Sequence, residues 1–331
     1  MEETVSQTYK NLYHYTNISG ALGIINSNQL WATHCRFLND TTERVHALES
    51  MYHQMQPRVL EIIRELEKEP AAKAFLNLDA EGGAENLARD EARKIINALN
   101  NAAGNECYVV SLCGETPDEY VNKNGLLSQW RGYGKDGGAA LVFDTKELED
   151  HLKKEAAEVS YSYFCLASLF YEDDFKTPSE EASKKISTVV RYGEGYIRET
   201  VLNQPNPVDT GEAYAALANI VSRYKHRAFK EENEVRIIAW PIYHSPKYKD
   251  IAKSSSEPLK PEKTRFFRDS LGGITPFIKL FEQRLSGVEK LPIKKIIIGP
   301  HKDKDKRKEA LEIALRGQDI KIEVSEIPYV G

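Results

Sequence analysis

Three short words in the chain hold residue types that can act together on a ligand. The first is LYHYT, residues 12–16. Read as a strand, it alternates, so His14 and Thr16 share one face and Tyr13 and Tyr15 share the other. Alone, the word also fits a half-buried histidine satisfied beside a cross-strand hydroxyl. The second is SQWRGYGKDGG, residues 128–138. Arg131 is a fixed cation that can fork onto phosphate or carboxylate. Trp130 and Tyr133 are flat surfaces suited to stacking on a base or a nicotinamide ring. The glycines let backbone approach a ligand closely. The bland version is a hairpin loop with an anchoring aromatic.

The third word is FKEENEVRIIAW, residues 229–240. An i, i+2 spacing on a strand puts Glu232 and Glu234 on one face, and Arg236 continues the row. Two readings stand side by side. Arg236 can be the partner that makes burial of a glutamate tolerable, which gives a structural ion pair. Equally, a carboxylate beneath a sugar stabilises an oxocarbenium-like centre or binds a ribose hydroxyl. Further along, Arg265 and Arg268 in RFFRDSLGG are cations that can meet phosphates. Lys302, Lys304 and Lys306 alternate with Asp303 and Asp305, as at a solvated helix start, and His301 reads as structural.

The elements around these words are legible in outline. LYHYT is a strand, followed by a helix in ALGIINSNQ capped by Asn17 or Ser19. QLWATHC is a second strand, and Asn39, Asp40 and Thr41 form a turn that can cap the next helix. Apolar residues three and four apart predict helices over most of 43–103, then over 178–203 and 211–228. CYVVSLCGE is a strand. A Gly-rich turn in SQWRGYGKDGG leads into the strand AALVFD, and Asp144 or Thr145 caps the helix TKELEDHLKKEA. VSYSYFCLASLFY, EVRIIAWPIY, TPFIKLFE, IKKIIIGP and IKIEVSEIPYV are further strands. The lysine-rich stretch 246–263 is a surface excursion. Strands recur throughout, which favours one α+β domain over 1–331 with helical insertions at about 43–103 and 178–228.

Bulk properties narrow the setting. The 331 residues carry 45 basic and 50 acidic side chains, a formal charge of −5, so charge alone gives no nucleic-acid signal. Four cysteines without C-x2-C spacing read as free thiols in a reducing cytoplasm. MEETVSQTYKN has no signal-peptide pattern, and no stretch approaches 18 apolar residues, so no membrane association is expected.

The words, in their order, resemble a bacterial family of unknown function, DUF2971: LYHYT, LWAT, LND, SLC, LLSQWRGYG, FKEENEVRII, KKIIIGP and SEIPY, over almost the whole length. LYHYT with its short helix and LWAT also looks like the opening of ADP-ribosyltransferase folds. That resemblance implies a split mixed β-sheet core and three site positions in chain order: His14, a middle Tyr133 or Trp130, and a late Glu234. It implies NAD as substrate. Glu234 would lie beneath the ribose, with Glu232 and Arg236 beside it. His14 and Thr16 would fix the adenosine-side ribose with Tyr15 as a further NAD-binding residue, Arg131 would pair with the pyrophosphate, and Asn39 or Asp40 would line the rim. No metal is needed. The implied activity is transfer of ADP-ribose to a nucleic acid or protein acceptor, in a toxin or phage-defence effector with an antitoxin or defence-system partner. Two alternatives are a non-catalytic nucleotide or nucleic-acid sensor and a nucleotide phosphate hydrolase using His14 with Glu232 or Glu234.

Overall fold

The structure is a computed structural model that describes residues 4–38, 42–70, 72, 76, 82–102, 106–172, 178–246, 259–270 and 273–328. Asn39 and Asp40 lie outside the described residues, as does most of the lysine-rich excursion. The chain divides into two compact units, one of residues 1–37, 107–169 and 228–331, the other of residues 38–106 and 170–227.

The first unit is a mixed sheet with helices. Its strands are β1 (Asn11–Thr16), β2 (Leu30–His34), β3 (Tyr108–Gly114), β4 (Ala139–Asp144) and β5 (Tyr161–Ser168). After β6 (Phe170–Glu172) and β7 (Tyr224–His226), which belong to the second unit, come β8 (Glu234–Pro241), β9 (Arg265–Ser270), β10 (Gly273–Leu280), β11 (Ile293–Ile298) and β12 (Lys321–Val324). The sheet order is β12-β11-β4-β1-β3-β2-β10-β9, and β8 with β5 branches off β3. In this sheet only the β11–β12 pairing is parallel among the described residues.

The branch at β3 shapes the unit. One edge of β3 pairs with β8 from Tyr108 to Cys113. The other edge is shared. Its Gly114 and Cys113 pair with Leu12 and Tyr13 of β1, while its Val109 and Tyr108 pair with Thr33 and His34 of β2. β1 and β2 therefore part along residues 110–112.

Alternation sorts the side chains. Leu12, Leu112, Leu141, Phe143, Val235 and Ile237 enter the main core, covered by Ala21 and Ile25 of the helix Ile18–Ser27 and by Leu148 and Leu152 of the helix Thr145–Glu158. Tyr13, Tyr15, Ala140 and Val142 build a smaller core around Trp130. Asn17 accepts from Gly20 N at 2.7 Å and Asp144 from Glu147 N at 2.9 Å, so each caps the helix it precedes.

The glycines of SQWRGYG mislead. Leu127–Tyr133 is a helix, not a turn. The Gly-rich turn that leads into AALVFD sits after this helix, where Asp136, Gly137 and Gly138 take positive φ; before the helix, Gly125 has φ +81° and a Cβ there would come within 2.6 Å of the Trp130 indole. Gly132 stands on an open part of this helix with nothing near its missing Cβ, so no close approach requires a glycine there.

The second unit joins the two helical stretches that the sequence sets apart. Thr42–Leu66, Ala84–Ala102, Glu180–Leu202 and Thr210–Arg223 share one core, with Met51, Met55 and Ile63 packed among Ile95, Leu99, Val189, Leu217 and Ile220. Among the described residues no helix is long and apolar enough to cross a membrane.

One buried ionic group anchors the β9–β10 hairpin in the first unit. Lys263 is fully buried and lies 3.1 Å from Glu155 and 2.9 Å from Glu282. Glu155 also accepts from the Tyr161 hydroxyl at 2.6 Å and from the Phe281 backbone N–H. Burial and the Glu155 charge push the Tyr161 phenol up, so it remains a donor. The Lys263→Met variant strands two carboxylates and is expected to lose about 3–5 kcal/mol of stability. Urea unfolding checks this, and an unchanged midpoint contradicts it.

Candidate functional site

The parting of β1 and β2 leaves the Ser111 carbonyl on the shared edge of β3, and the ring of His14 meets it. His14 Nδ1 is 2.9 Å from Ser111 O. A carbonyl only accepts, so the neutral imidazole keeps its proton on Nδ1 and presents a lone pair at Nε2. Burial lowers the His14 pKa, the bond to Ser111 works against that, and the Arg268 charge adds to the lowering.

A partly open cleft of about 70 Å³ lies beside this ring, lined by Tyr13, His14, Tyr15, Ser111, Leu112, Cys113, Gln129, Tyr133, Glu232 and Glu234. By the same measure a water needs roughly 10–15 Å³, so the space suits one ring and not a whole dinucleotide. His14, Tyr133 and Glu234, from the first, middle and late parts of the chain, meet in this one cleft.

Glu234 is held on two points. Arg236 Nε donates to Oε1 at 2.7 Å and Nη2 to Oε2 at 3.3 Å, with both side chains buried. The two residues sit i, i+2 on β8 and so share a face. This fork keeps the carboxylate fixed in one orientation. Glu232 reaches the cleft by another route than the alternation expected of it. It ends the 3-10 segment Arg227–Glu232, and Asn233 follows with φ +45°, so the strand starts only at Glu234.

Other expected residues are placed differently. Trp130 is 1 % exposed, donates from Nε1 to Asn124 O at 3.0 Å, and meets the Tyr15 ring edge-on at 4.9 Å. It is a core anchor with no face left for a ligand. Thr16 points at the start of the following helix, where a Cβ on Gly20 would come within 2.3 Å of its Oγ1, and it does not line the cleft. Arg131 is exposed on the helix and likewise is not part of the lining. Tyr15 does line it, its hydroxyl accepting from Leu126 N at 2.9 Å. The Tyr13 hydroxyl donates to Asn122 O at 3.1 Å, and burial with the nearby Glu115 charge pushes its pKa up to about 12.

Five lining residues escaped the sequence reading: Tyr13, Ser111, Leu112, Cys113 and Gln129. Ser111 and Cys113 alternate on β3, and the word SLC carried that signal. Gln129 is 4 % exposed, and its amide makes no hydrogen bond among the described residues. It stands four before Tyr133, on the same side of the helix. Read as a helix, SQWRGYG would have paired the two.

Residues 129–237 match the model of a family described as a protein of unknown function, DUF2971. This match supports a relationship to the DUF2971 family. The matched segment contains Gln129, Tyr133, Glu232 and Glu234 of the cleft. No curated protein and no solved structure matches the chain.

The lowered His14 pKa has a stability consequence. The unfolded chain binds a proton on this residue from about pH 6.5 downward, while the folded chain resists it. The contribution is therefore complete above about pH 6.5 and is lost as pH falls below it. The His14→Gln variant is expected to lose less stability than the parent between about pH 7 and about pH 5.5. Denaturant melts at the two pH values check this, and parallel losses contradict it.

Proposed function

We propose that this protein is an ADP-ribosyltransferase that takes the nicotinamide–ribose end of NAD into the cleft of His14, Tyr133 and Glu234. The single observation that carries the reading is the convergence of those three side chains on one cavity. The parting of β1 and β2 on one edge of β3 supports an ADP-ribosyltransferase-like core. The cavity's capacity for one ring fits the nicotinamide end, with the rest of the dinucleotide over the open side.

In the reaction, the bond between the ribose anomeric carbon and the nicotinamide nitrogen breaks, and nicotinamide leaves with the bonding pair. Positive charge builds on the ribose. Glu234, fixed by Arg236, stabilises it. His14 Nε2 accepts from a ribose hydroxyl, and Tyr133 stacks on the leaving ring. A nucleophile of the macromolecular acceptor then bonds to the anomeric carbon and gives up its proton. A setting as a toxin or phage-defence effector is part of this proposal.

The grip of Arg236 on Glu234 favours one second reading, a nucleotide sensor with the same cleft and no turnover. Nicotinamide release from NAD separates the two. The parent is expected to release nicotinamide, Glu234→Gln to lose about 10²–10³-fold in rate, and Tyr133→Ala, at an exposed position, to keep the fold and raise KM. Undiminished release by a folded Glu234→Gln overturns the proposal. NAD binding without release supports the sensor.

A further inference from the structure

Away from the cleft, β2, β10 and β9 carry a row of rings with cations over them. Trp31 stacks on Phe277 with centroids 4.6 Å apart and planes at 25°, and Phe277 on Phe266 at 5.6 Å and 29°. The register explains the row. Lys279 faces Trp31, Phe277 faces both Thr33 and Phe266, and Thr275 faces Arg268, so these side chains lie on one face of the sheet. The Arg268 guanidinium is 5.9 Å from the Trp31 ring and 5.7 Å from Phe277, and the Lys279 ammonium is 4.3 Å from Phe266.

Two features exceed what stability asks of such a face. Trp31 is 41 % exposed although it has an aromatic partner beneath it. Arg268 is half-buried, donates to Thr33 Oγ1 at 2.9 Å, and has no carboxylate partner among the described residues. Lys279 also has none among them. A partly desolvated cation without an anion costs free energy that a bound anion returns. The Arg268 charge also reaches His14, which links this face to the cleft.

We infer that the β2–β10–β9 face binds the acceptor, and that the acceptor is a single-stranded nucleic acid, with a base stacked on Trp31 and backbone phosphates at Arg268 and Lys279. The inference rests on the transferase reading only for the word acceptor. The chemistry of the face selects the class. A single strand repeats flat rings and phosphates, which is what exposed rings beside unpaired cations recognise. A peptide brings no row of phosphates to the two cations. The chain's net charge of −5 confines attraction for a polyanion to local patches such as this one.

Fluorescence anisotropy of the full chain with labelled oligothymidylate and oligouridylate, without NAD, tests it. Affinity that falls as salt rises is expected. Trp31→Ala should weaken it about tenfold or more. Arg268→Gln should weaken it and flatten the salt dependence by about one phosphate's share, a log–log slope change of roughly 0.7. Lys279→Gln provides the same readout should Trp31→Ala fail to fold. Lys306→Gln, on an exposed helix start remote in the sheet order, should bind like the parent. No binding by the parent at low salt, or equal binding by folded Trp31→Ala and Arg268→Gln, overturns the inference; so would cross-linking of this face to a protein acceptor while oligonucleotides fail to compete. Because NAD is absent, oligonucleotide binding through Trp31 stands even if nicotinamide release is never seen, and the two failures stay distinguishable.

Discussion

Two strands share one edge of β3, and a strand edge that must serve both cannot pair along its whole length. β1 takes Cys113 and Gly114, β2 takes Tyr108 and Val109, and the Ser111 carbonyl in the interval is met by His14. A backbone acceptor left bare in such a place costs about as much as a lost hydrogen bond. The imidazole removes that cost and is fixed in one tautomer by doing so. The gap in the sheet and the orientation of its most reactive side chain thus have one origin. The cleft beside them follows from it, because β8 on the far edge and the helix Leu127–Tyr133 bring Glu234 and Tyr133 to the same opening.

Charge is handled in the first unit by two different means. Glu234 and Arg236 fork together, and Lys263 sits between Glu155 and Glu282, so these buried ions are compensated within the chain. Arg268 is the contrast, with a hydroxyl for a neighbour and rings beneath it. Compensated ions fix geometry at modest net gain. An uncompensated one keeps its attraction for something outside the fold. The same hairpin that Lys263 anchors carries Arg268, so the stability network and the exposed ring row are mechanically joined.

Much of this was legible in residue order. The alternation in LYHYT and the apolar run in AALVFD marked β1 and β4, and of the two candidates offered for each cap, Asn17 and Asp144 are the ones that cap. The i, i+2 relation of Glu234 and Arg236 announced their ion pair. Local pattern failed where packing decided. Glycines made SQWRGYG look like a turn, yet Trp130, buried against Tyr15 and bonded to Asn124, holds it as a helix, and the indole was lost as a ligand surface. A single left-handed residue, Asn233, broke the alternation expected to carry Glu232. The helices at 43–103 and 178–228 show their apolar faces plainly, but periodicity does not say that those faces belong to one another. Gln129 was hidden for the same reason as the helix that carries it.

A crystal structure of the protein with a non-cleavable NAD analogue examines the central claim without relying on turnover. The expected density places the nicotinamide-side ribose within hydrogen-bond reach of His14 Nε2, with the Glu234 carboxylate beneath it and Tyr133 against the pyridine ring. Saturating analogue bound elsewhere, or none bound while the cleft stays open between the same three side chains, contradicts it.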